Sequence, residues 1–248
     1  MKYEKSPENW ATPFIEQDNS DRSPVVIHVP HASLNIPPKY RSDFSLSDTE
    51  LDEEARTMAD LGTDHLARAT YGLSLIKPSL FINNLSRLVF DPERFNDESE
   101  EMNSVGMGVL YSQTSSGAPL RSLSDGRSGE LIAALFNPYS LALDSLVSRT
   151  LAKHGKVVII DLHSYSKDPL GYELHKDLPR PEVCLGVDDF HTSPQLLSIA
   201  KEVFSSTYIV GINTPFIGTY VPLSFYAKDS RVQSIMLEFR KDAYGSKN

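Results

Sequence analysis

His31 and His163 are the first residues in the chain that could carry chemistry, because each follows an apolar run. Val25-Val26-Ile27-His28-Val29 precedes the first, and Lys156-Val157-Val158-Ile159-Ile160-Asp161 precedes the second. In open α/β sheets, ligand sites gather beyond the carboxyl ends of the strands. Two neutral imidazoles and one carboxylate, with a fourth position left to water, form a common catalytic zinc site. A single loop histidine is ordinarily just a hydrogen-bonding residue; two at strand ends weaken that reading. His28 competes with His31, but alternation along a strand places it on the face of Val26, toward core. Glu238 interrupts Ile235-Met236-Leu237 and Phe239 in another apolar run. Burying a carboxylate there costs free energy unless it is paired, hydrogen-bonded or protonated. A carboxyl group so placed often has a raised pKa and can serve as a general base. The competing readings are an ion pair with Arg240 or Lys241, or a strand edge open to water.

The elements that must position these groups follow from patterning. Ser47 and Glu50 form a capping-box pattern ahead of Leu51, Ala55 and Met58, which share a helical face. That helix is expected to run, with an interruption near Gly62, to Thr70. Residues 73–76, 80–82 and 87–90 read as short strands, and 112–128 as a surface loop. Residues 130–153 have helical spacing, which Pro138 divides into two pieces. Lys156 to Asp161 is the clearest strand, with His163 just past its end, and nearly continuous β-branched residues of this kind are covered on both faces. Further strands are expected at 183–186, 208–212 and 234–239, with a helix at 193–204. This alternation predicts an α/β three-layer sandwich around a mixed, mostly parallel sheet. Residues 1–24 read as an irregular lead-in. The long polar stretch 96–116 suits a lid over a site, although most such loops are mobile surface.

At 248 residues the chain suits one domain spanning 1–248. Its net charge of −9 disfavours nucleic acid, which requires clustered Lys and Arg. No stretch is expected to span a bilayer, so no membrane role is expected. The opening MKYEKSPENW lacks the apolar core of a secretory signal, which points to the cytoplasm. The single cysteine, Cys184, rules out both an internal disulfide and a cysteine-rich zinc site, leaving histidine and carboxylate as metal ligands.

Taken in order, the motifs resemble those of the N-formylglutamate amidohydrolase family. Val29-Pro30-His31-Ala32-Ser33 looks like its proline-histidine motif, and Asp161-Leu162-His163-Ser164 like its aspartate-x-histidine-serine motif. Between them, Asp60-Leu61-Gly62-Thr63-Asp64-His65-Leu66 and Ser86-Arg87-Leu88-Val89-Phe90-Asp91-Pro92-Glu93-Arg94 match further segments. Gly106 to Tyr111, Leu185-Gly186 and Leu237-Glu238-Phe239-Arg240 also look like family positions.

The resemblance implies a phosphorylase/hydrolase-like fold and one zinc ion on His31, Asp60 and His163, with Glu238 as the catalytic base. It also implies Arg87 and Arg94 as carboxylate-binding forks and Tyr220 as a pocket residue. The expected substrate is a small acidic N-acyl amino acid such as N-formyl-L-glutamate, cleaved to formate and glutamate in histidine degradation. Helical periodicity alone sets Asp60 opposite the Leu51, Ala55 and Met58 face, as a solvated carboxylate, so its assignment comes from the family match. Glu54 and Asp64 are its rivals. The bland reading of both arginines is surface or ion-pair duty with Asp91 and Glu93. Two departures stand out: Pro92-Glu93 replaces the family's common asparagine before the second arginine, and Pro138-Tyr139-Ser140 replaces its proline-tyrosine-histidine. The alternatives are a zinc carboxypeptidase-like or amidase-like enzyme on other N-acyl amino acids or peptide fragments, and a non-catalytic binding domain of the same fold.

Overall fold

A computed structural model describes residues 13–244 of the chain. Its strands are β1 (Phe14–Gln17), β2 (Val25–Val29), β3 (Ser79–Asn83), β4 (Val157–Tyr165), β5 (Val183–Gly186), β6 (Val210–Ile212) and β7 (Val232–Arg240). The helices are α1 (Pro38–Arg41), α2 (Asp48–Met58), α3 (Thr63–Leu73), α4 (Asp125–Leu131), α5 (Asn137–His154), α6 (Pro194–Ser205) and α7 (Lys241–Tyr244). The strands form one sheet in the order β1-β3-β2-β4-β7-β5-β6. Pairs β2–β3, β2–β4, β4–β7 and β5–β6 are parallel, whereas β1–β3 and β5–β7 are antiparallel. The sheet is thus mixed and mostly parallel, as expected.

Helices cover both faces. On one, α5 packs Tyr139, Leu143, Leu146 and Val147 against Val26, Phe81, Val157, Ile159 and Val232. On the other, Ala67 of α3 and Ala200 of α6 join Ile27, Val29, Leu80, Leu162, Leu185 and Leu237. A third cluster sets α2 (Leu51, Ala55, Met58) against Leu88, Met107, Tyr111 and Leu120 from the long connections. The capping box forms as read: Ser47 and Glu50 each accept a backbone N–H from the other.

Several elements differ from expectation. Phe14–Gln17 is an edge strand rather than part of an irregular lead-in, held because the Phe14 ring stacks on Phe81 at 4.8 Å. Residues 1–12 of that lead-in lie outside the described residues. Residues 73–76 are not a strand: α3 runs to Leu73, Ser74 N–H closes on Thr70 O, and Leu75 and Ile76 are exposed. Residues 87–90 are a buried turn closed by Val89 N–H on Ser86 O, apolar because the turn itself is core. The stretch 112–128 is not all surface, since Leu120 and Arg121 are buried and α4 begins at Asp125.

Pro138 does not break its helix. The preceding turn, Ile132–Phe136, is π-helical, with Asn137 N–H reaching back to Ile132 O, and α5 continues from it. Such an inserted residue absorbs the N–H that proline lacks. The resulting helical run, Asp125–His154, is long and apolar enough to cross a membrane by length and composition, contrary to expectation. Its apolar face instead packs on the sheet. Leu143→Ala is expected to cost roughly 2–5 kcal/mol in chemical denaturation, as a buried leucine should. Leu141→Ala, two residues earlier on the opposite side of the helix and 67% exposed, is expected to cost less than about 0.5 kcal/mol. Equal losses would contradict the packing of α5.

Candidate active site

Alternation along three neighbouring strands builds the site. Counting by two from the α5-facing core residue Val26 leads to His28 in β2; from Val157 and Ile159 it leads to Asp161 and His163 in β4. From Val232 in β7 it leads through Ser234 and Met236 to Glu238. The register then aligns His28 with Asp161, and His163 with Glu238. Four polar groups therefore share one face near the carboxyl ends of the central strands. His31 joins from the turn after β2, and the strand β4 extends to Tyr165, so His163 lies within it rather than past its end.

Asp60 arrives by a local device. Helix α2 stops at Met58, and Ala59 turns to extended backbone (φ −77°, ψ 148°), so helical periodicity no longer governs where Asp60 points. Gly62, at φ +92°, then starts α3 in a conformation that favours glycine. Asp60 is buried, not solvated, and its backbone N–H donates to His31 O. Its Oδ2 is 3.1 Å from His163 Nδ1 and 3.7 Å from His31 Nδ1. His31 Nε2 is held 2.9 Å from Asp91 Oδ1, while its buried Nδ1 has no hydrogen-bond partner.

This is the donor pattern of a cation site. Zinc ligands at about 2.0–2.1 Å in a tetrahedron stand roughly 3.3 Å apart, close to the separations seen, and His31, Asp60 and His163 are all buried. The Asp91 carboxylate orients the imidazole that leaves Nδ1 free, an outer contact typical of metal-binding histidines. Burial alone would push Asp60 up, but hydrogen bonds and charge from His163 and His31 hold it well below the usual carboxylate range. Burial would lower His163, yet the charges of Glu93 and Asp161 raise it well above an ordinary histidine.

Glu238 is the exception. Burial raises its pKa to about 8, with the nearby Asp60 adding to that and His163 opposing it. Its Oε2 has no partner. Neither anticipated ion pair forms: Arg240 bonds Asp242, and Lys241 Nζ donates to Ala59 O at 2.8 Å.

Arg87 and Arg94 flank the same cleft, a cavity of about 1010 Å³ that also holds His31, Asp60, His163, Glu238 and Tyr220. Arg87 is buried, with Nε on Tyr111 Oη and Nη2 on Asp91 Oδ2, both at 2.8 Å. Arg94 gives Nε to Met107 O and stands 3.5 Å from Asp91 Oδ2. The ion pair with Asp91 thus exists, but inside the cleft rather than on the surface. Tyr220 is set by its backbone N–H to Asp161 Oδ2 at 3.2 Å, and its ring lies 5.1 Å from that of His28. The loop bearing it crosses β5 closely enough that a Cβ at Gly186 would sit 2.2 Å from Gly218 O.

The rivals for the third ligand position fall elsewhere. Glu54 accepts from Ser115, and Asp64 lies in the first turn of α3, outside the cluster. The segment 96–116 is not an open lid: a 3-10 turn at Glu101–Val105 and Ser112 N–H on Gly106 O fold it onto itself, and Ser99 to Met102 line the cleft. Sequence reasoning undervalued His28 and Glu93. His28 does face the α5 core, yet its Nδ1 is 2.9 Å from Asp161 Oδ1 and 3.4 Å from Glu93 Oε1. Parity shared with Asp161 was the signal available. Lys241, at the cleft, had none.

Sheet, layers and a buried histidine–carboxylate cluster at the strand ends define an α/β protein whose central strands carry residues that could hold a metal ion. The family model of N-formylglutamate amidohydrolase matches residues 23–245, and the chain belongs to that family of amidohydrolases. Among solved structures it is similar to an N-formylglutamate amidohydrolase from Ralstonia eutropha, with TM-score 0.77 and 22% identity over 93% of this chain and 86% of that one. A gene product from Agrobacterium tumefaciens is similar with TM-score 0.68 and 19% identity, at the same coverage of 93% and 86%. At these identities the likeness is one of fold. None of the curated proteins matches the chain.

The raised pKa of Glu238 carries a sign. The folded, metal-free chain prefers the neutral acid up to about pH 8, whereas the unfolded chain ionises near an ordinary glutamate's pKa. Stability from this group is complete at low pH and is lost as pH rises toward about 8. Glu238→Gln is therefore expected to melt with the wild type near about pH 4 and several degrees above it at pH 8 and beyond. A difference independent of pH would contradict the burial of this carboxyl group.

Proposed function

We propose that the chain is a zinc-dependent amidohydrolase that cleaves the amide of an N-formyl or N-acyl acidic amino acid, with N-formyl-L-glutamate giving formate and glutamate. The observation that carries this reading is the buried trio His31, Asp60 and His163, with Glu238, whose buried Oε2 has no hydrogen-bond partner, at His163's register position on the next strand. When bound, zinc would acidify a coordinated water and polarise the amide carbonyl.

The chain's own groups supply the rest. Glu238, whose carboxyl group would ionise once the charge of a bound cation offset the burial that raises its pKa, accepts a proton from the attacking water as the new C–O bond forms. As the C–N bond breaks, the same carboxyl group returns that proton to the leaving nitrogen. Asp91 holds His31 through Nε2 and Arg87 through Nη2, fixing ligand and substrate fork relative to one another. Arg94, the more exposed arginine, presents a planar donor pair to a substrate carboxylate, and Arg87 flanks it. Tyr220 walls the cleft above His28.

A second reading widens the substrate. The mouth of the cleft carries exposed Leu141, Leu174, Ile217 and Leu223, apolar side chains that a formyl group and a glutamate would leave uncovered. These residues favour longer N-acyl groups or peptide fragments for the same chemistry.

Metal content and formate release, measured together, test both. Wild type is expected to hold zinc and release formate from N-formylglutamate; His163→Ala is expected to lose both the bound zinc and the activity. Glu238→Gln should keep its zinc while kcat falls by about 10²–10⁴, and Arg94→Ala should raise KM more than it lowers kcat. Zinc with no formate release, but hydrolysis of longer acyl groups, selects the second reading. A wild type purified without chelators that binds no zinc would overturn the proposal.

A further inference from the structure

A second group of buried ligands lies across the imidazoles from Asp60. Asp60 meets the Nδ1 edge of both His31 and His163. Glu93 meets their Nε2 edges, its Oε2 being 3.3 Å from His163 and 3.7 Å from His31. Beyond Glu93 stand His28 and Asp161, whose ligand atoms and those of Glu93 all fall within 4.8 Å of one another.

The charges of this group do not balance internally. Glu93 and Asp161 are side chains only 9% and 2% exposed. The nearby arginines are taken up by a different carboxylate, since Arg87 and Arg94 both turn to Asp91. Asp161 is well served, with His28 on Oδ1 and the Tyr220 N–H on Oδ2. Glu93 is not. Its Oε1 is buried with no hydrogen-bond partner, although it lies 3.4 Å from His28 Nδ1. A single Nδ1–H can serve only one of the two acids, and Asp161 is nearer at 2.9 Å. An unpartnered carboxylate oxygen at this depth is costly, and a cation is the group that would satisfy it.

We propose that His28, Glu93 and Asp161 hold a second divalent cation, distinct from the one assigned to His31, Asp60 and His163. His28 gives Nδ1 and each acid gives one oxygen, two carboxylate charges against a double positive charge. With Nδ1 committed to the ion, Nε2 carries the ring proton and donates it to Tyr139 Oη, 2.7 Å away. That contact fixes the tautomer and the ring, as the outer partners of metal-bound histidines do. One nitrogen and two carboxylate oxygens suit zinc, manganese or cobalt ions rather than copper(I) or other thiophilic metals. Glu93 supplies the second negative charge that makes the site. An asparagine at this position would leave Asp161 as the sole anion beside His28, and hence a single ion in the cleft.

The test is a count of ions. The full chain, without an affinity tag, is stripped with chelator, reloaded with excess Zn²⁺, passed through a desalting column and analysed for metal per chain. Two ions are expected in the wild type. One is expected in Glu93→Gln, with the first site intact, and one in His31→Ala, with the second intact. A measurement that needs no variant is the electron paramagnetic resonance spectrum of the wild type titrated with Mn²⁺. Magnetic coupling between neighbouring ions should grow in as the second equivalent binds. One ion in the wild type, unchanged by Glu93→Gln and lost in His31→Ala, with no coupling at any loading, would overturn the second site and leave the zinc reading standing. No ion at all in the wild type would overturn both.

Discussion

Everything around this cleft follows from the cost of burying negative charge. Asp60, Glu93, Asp161 and Glu238 line one cavity and Asp91 lies buried directly behind it, all withdrawn from water. An isolated carboxylate in such a place either finds a cation or gives up its charge. Four of the five do one or the other. Asp91 takes two guanidinium groups, a tyrosine hydroxyl at 2.5 Å and an imidazole, and is held well below the usual carboxylate range against the opposing effect of burial. Asp60 and Asp161 lean on imidazoles. Glu238, with no partner for Oε2, keeps its proton instead. The same low-dielectric setting therefore produces both the most firmly ionised carboxylates of the site and a carboxyl group that stays neutral.

The sheet makes such a concentration of charge possible by confining it to one face. On β4, Asp161 and His163 point toward the α5 layer while Ile160 and Leu162 point away. On β7, Glu238 shares parity with Ser234 and Met236, and Ile235, Leu237 and Phe239 go to the opposite, wholly apolar cluster. A slip of one residue in the β4–β7 register would drive His163 or Glu238 into that apolar face. The hydrophobic core beneath α3 and α6 thus sets the alignment of the polar groups above it, and the parallel pairing brings all of them to the same end of the strands.

This parity also explains what could be read from sequence. His31, His163 and Glu238 were legible because a polar residue at the end of or within an apolar run is conspicuous, and strands at 183–186 and 234–239 were legible as short, mainly apolar runs. Asp60 was not, since its position depends on where α2 stops, and the extended backbone of Ala59 leaves no compositional mark. The π turn ahead of Pro138 was equally hidden, because proline's missing N–H announces an interruption without saying whether the helix breaks or merely widens. Residues 87–90 misled because burial, which strands and core turns share, produces the same apolar string in both. His28 was placed on the correct face but taken for core; the carboxylates that meet it come from sequence positions 93 and 161, and only the fold joins them.

The arginines show why the pairing matters for substrate as well as for stability. On the proposed reading, an acidic substrate enters a protein of net charge −9, whose long-range field opposes it. Affinity must come from desolvated guanidinium groups at close range, where screening by salt is weak. Arg87 is rigidly held between Tyr111 and Asp91, so little rotamer freedom is lost when it meets a ligand, but part of its charge is already neutralised. Arg94, farther from Asp91, retains more. Glu93 sits between them in sequence and turns away, toward the imidazoles and His28. Had it faced the arginines it would have cancelled the charge a substrate carboxylate needs. Its commitment to the opposite side of the cleft therefore leaves the arginine fork usable.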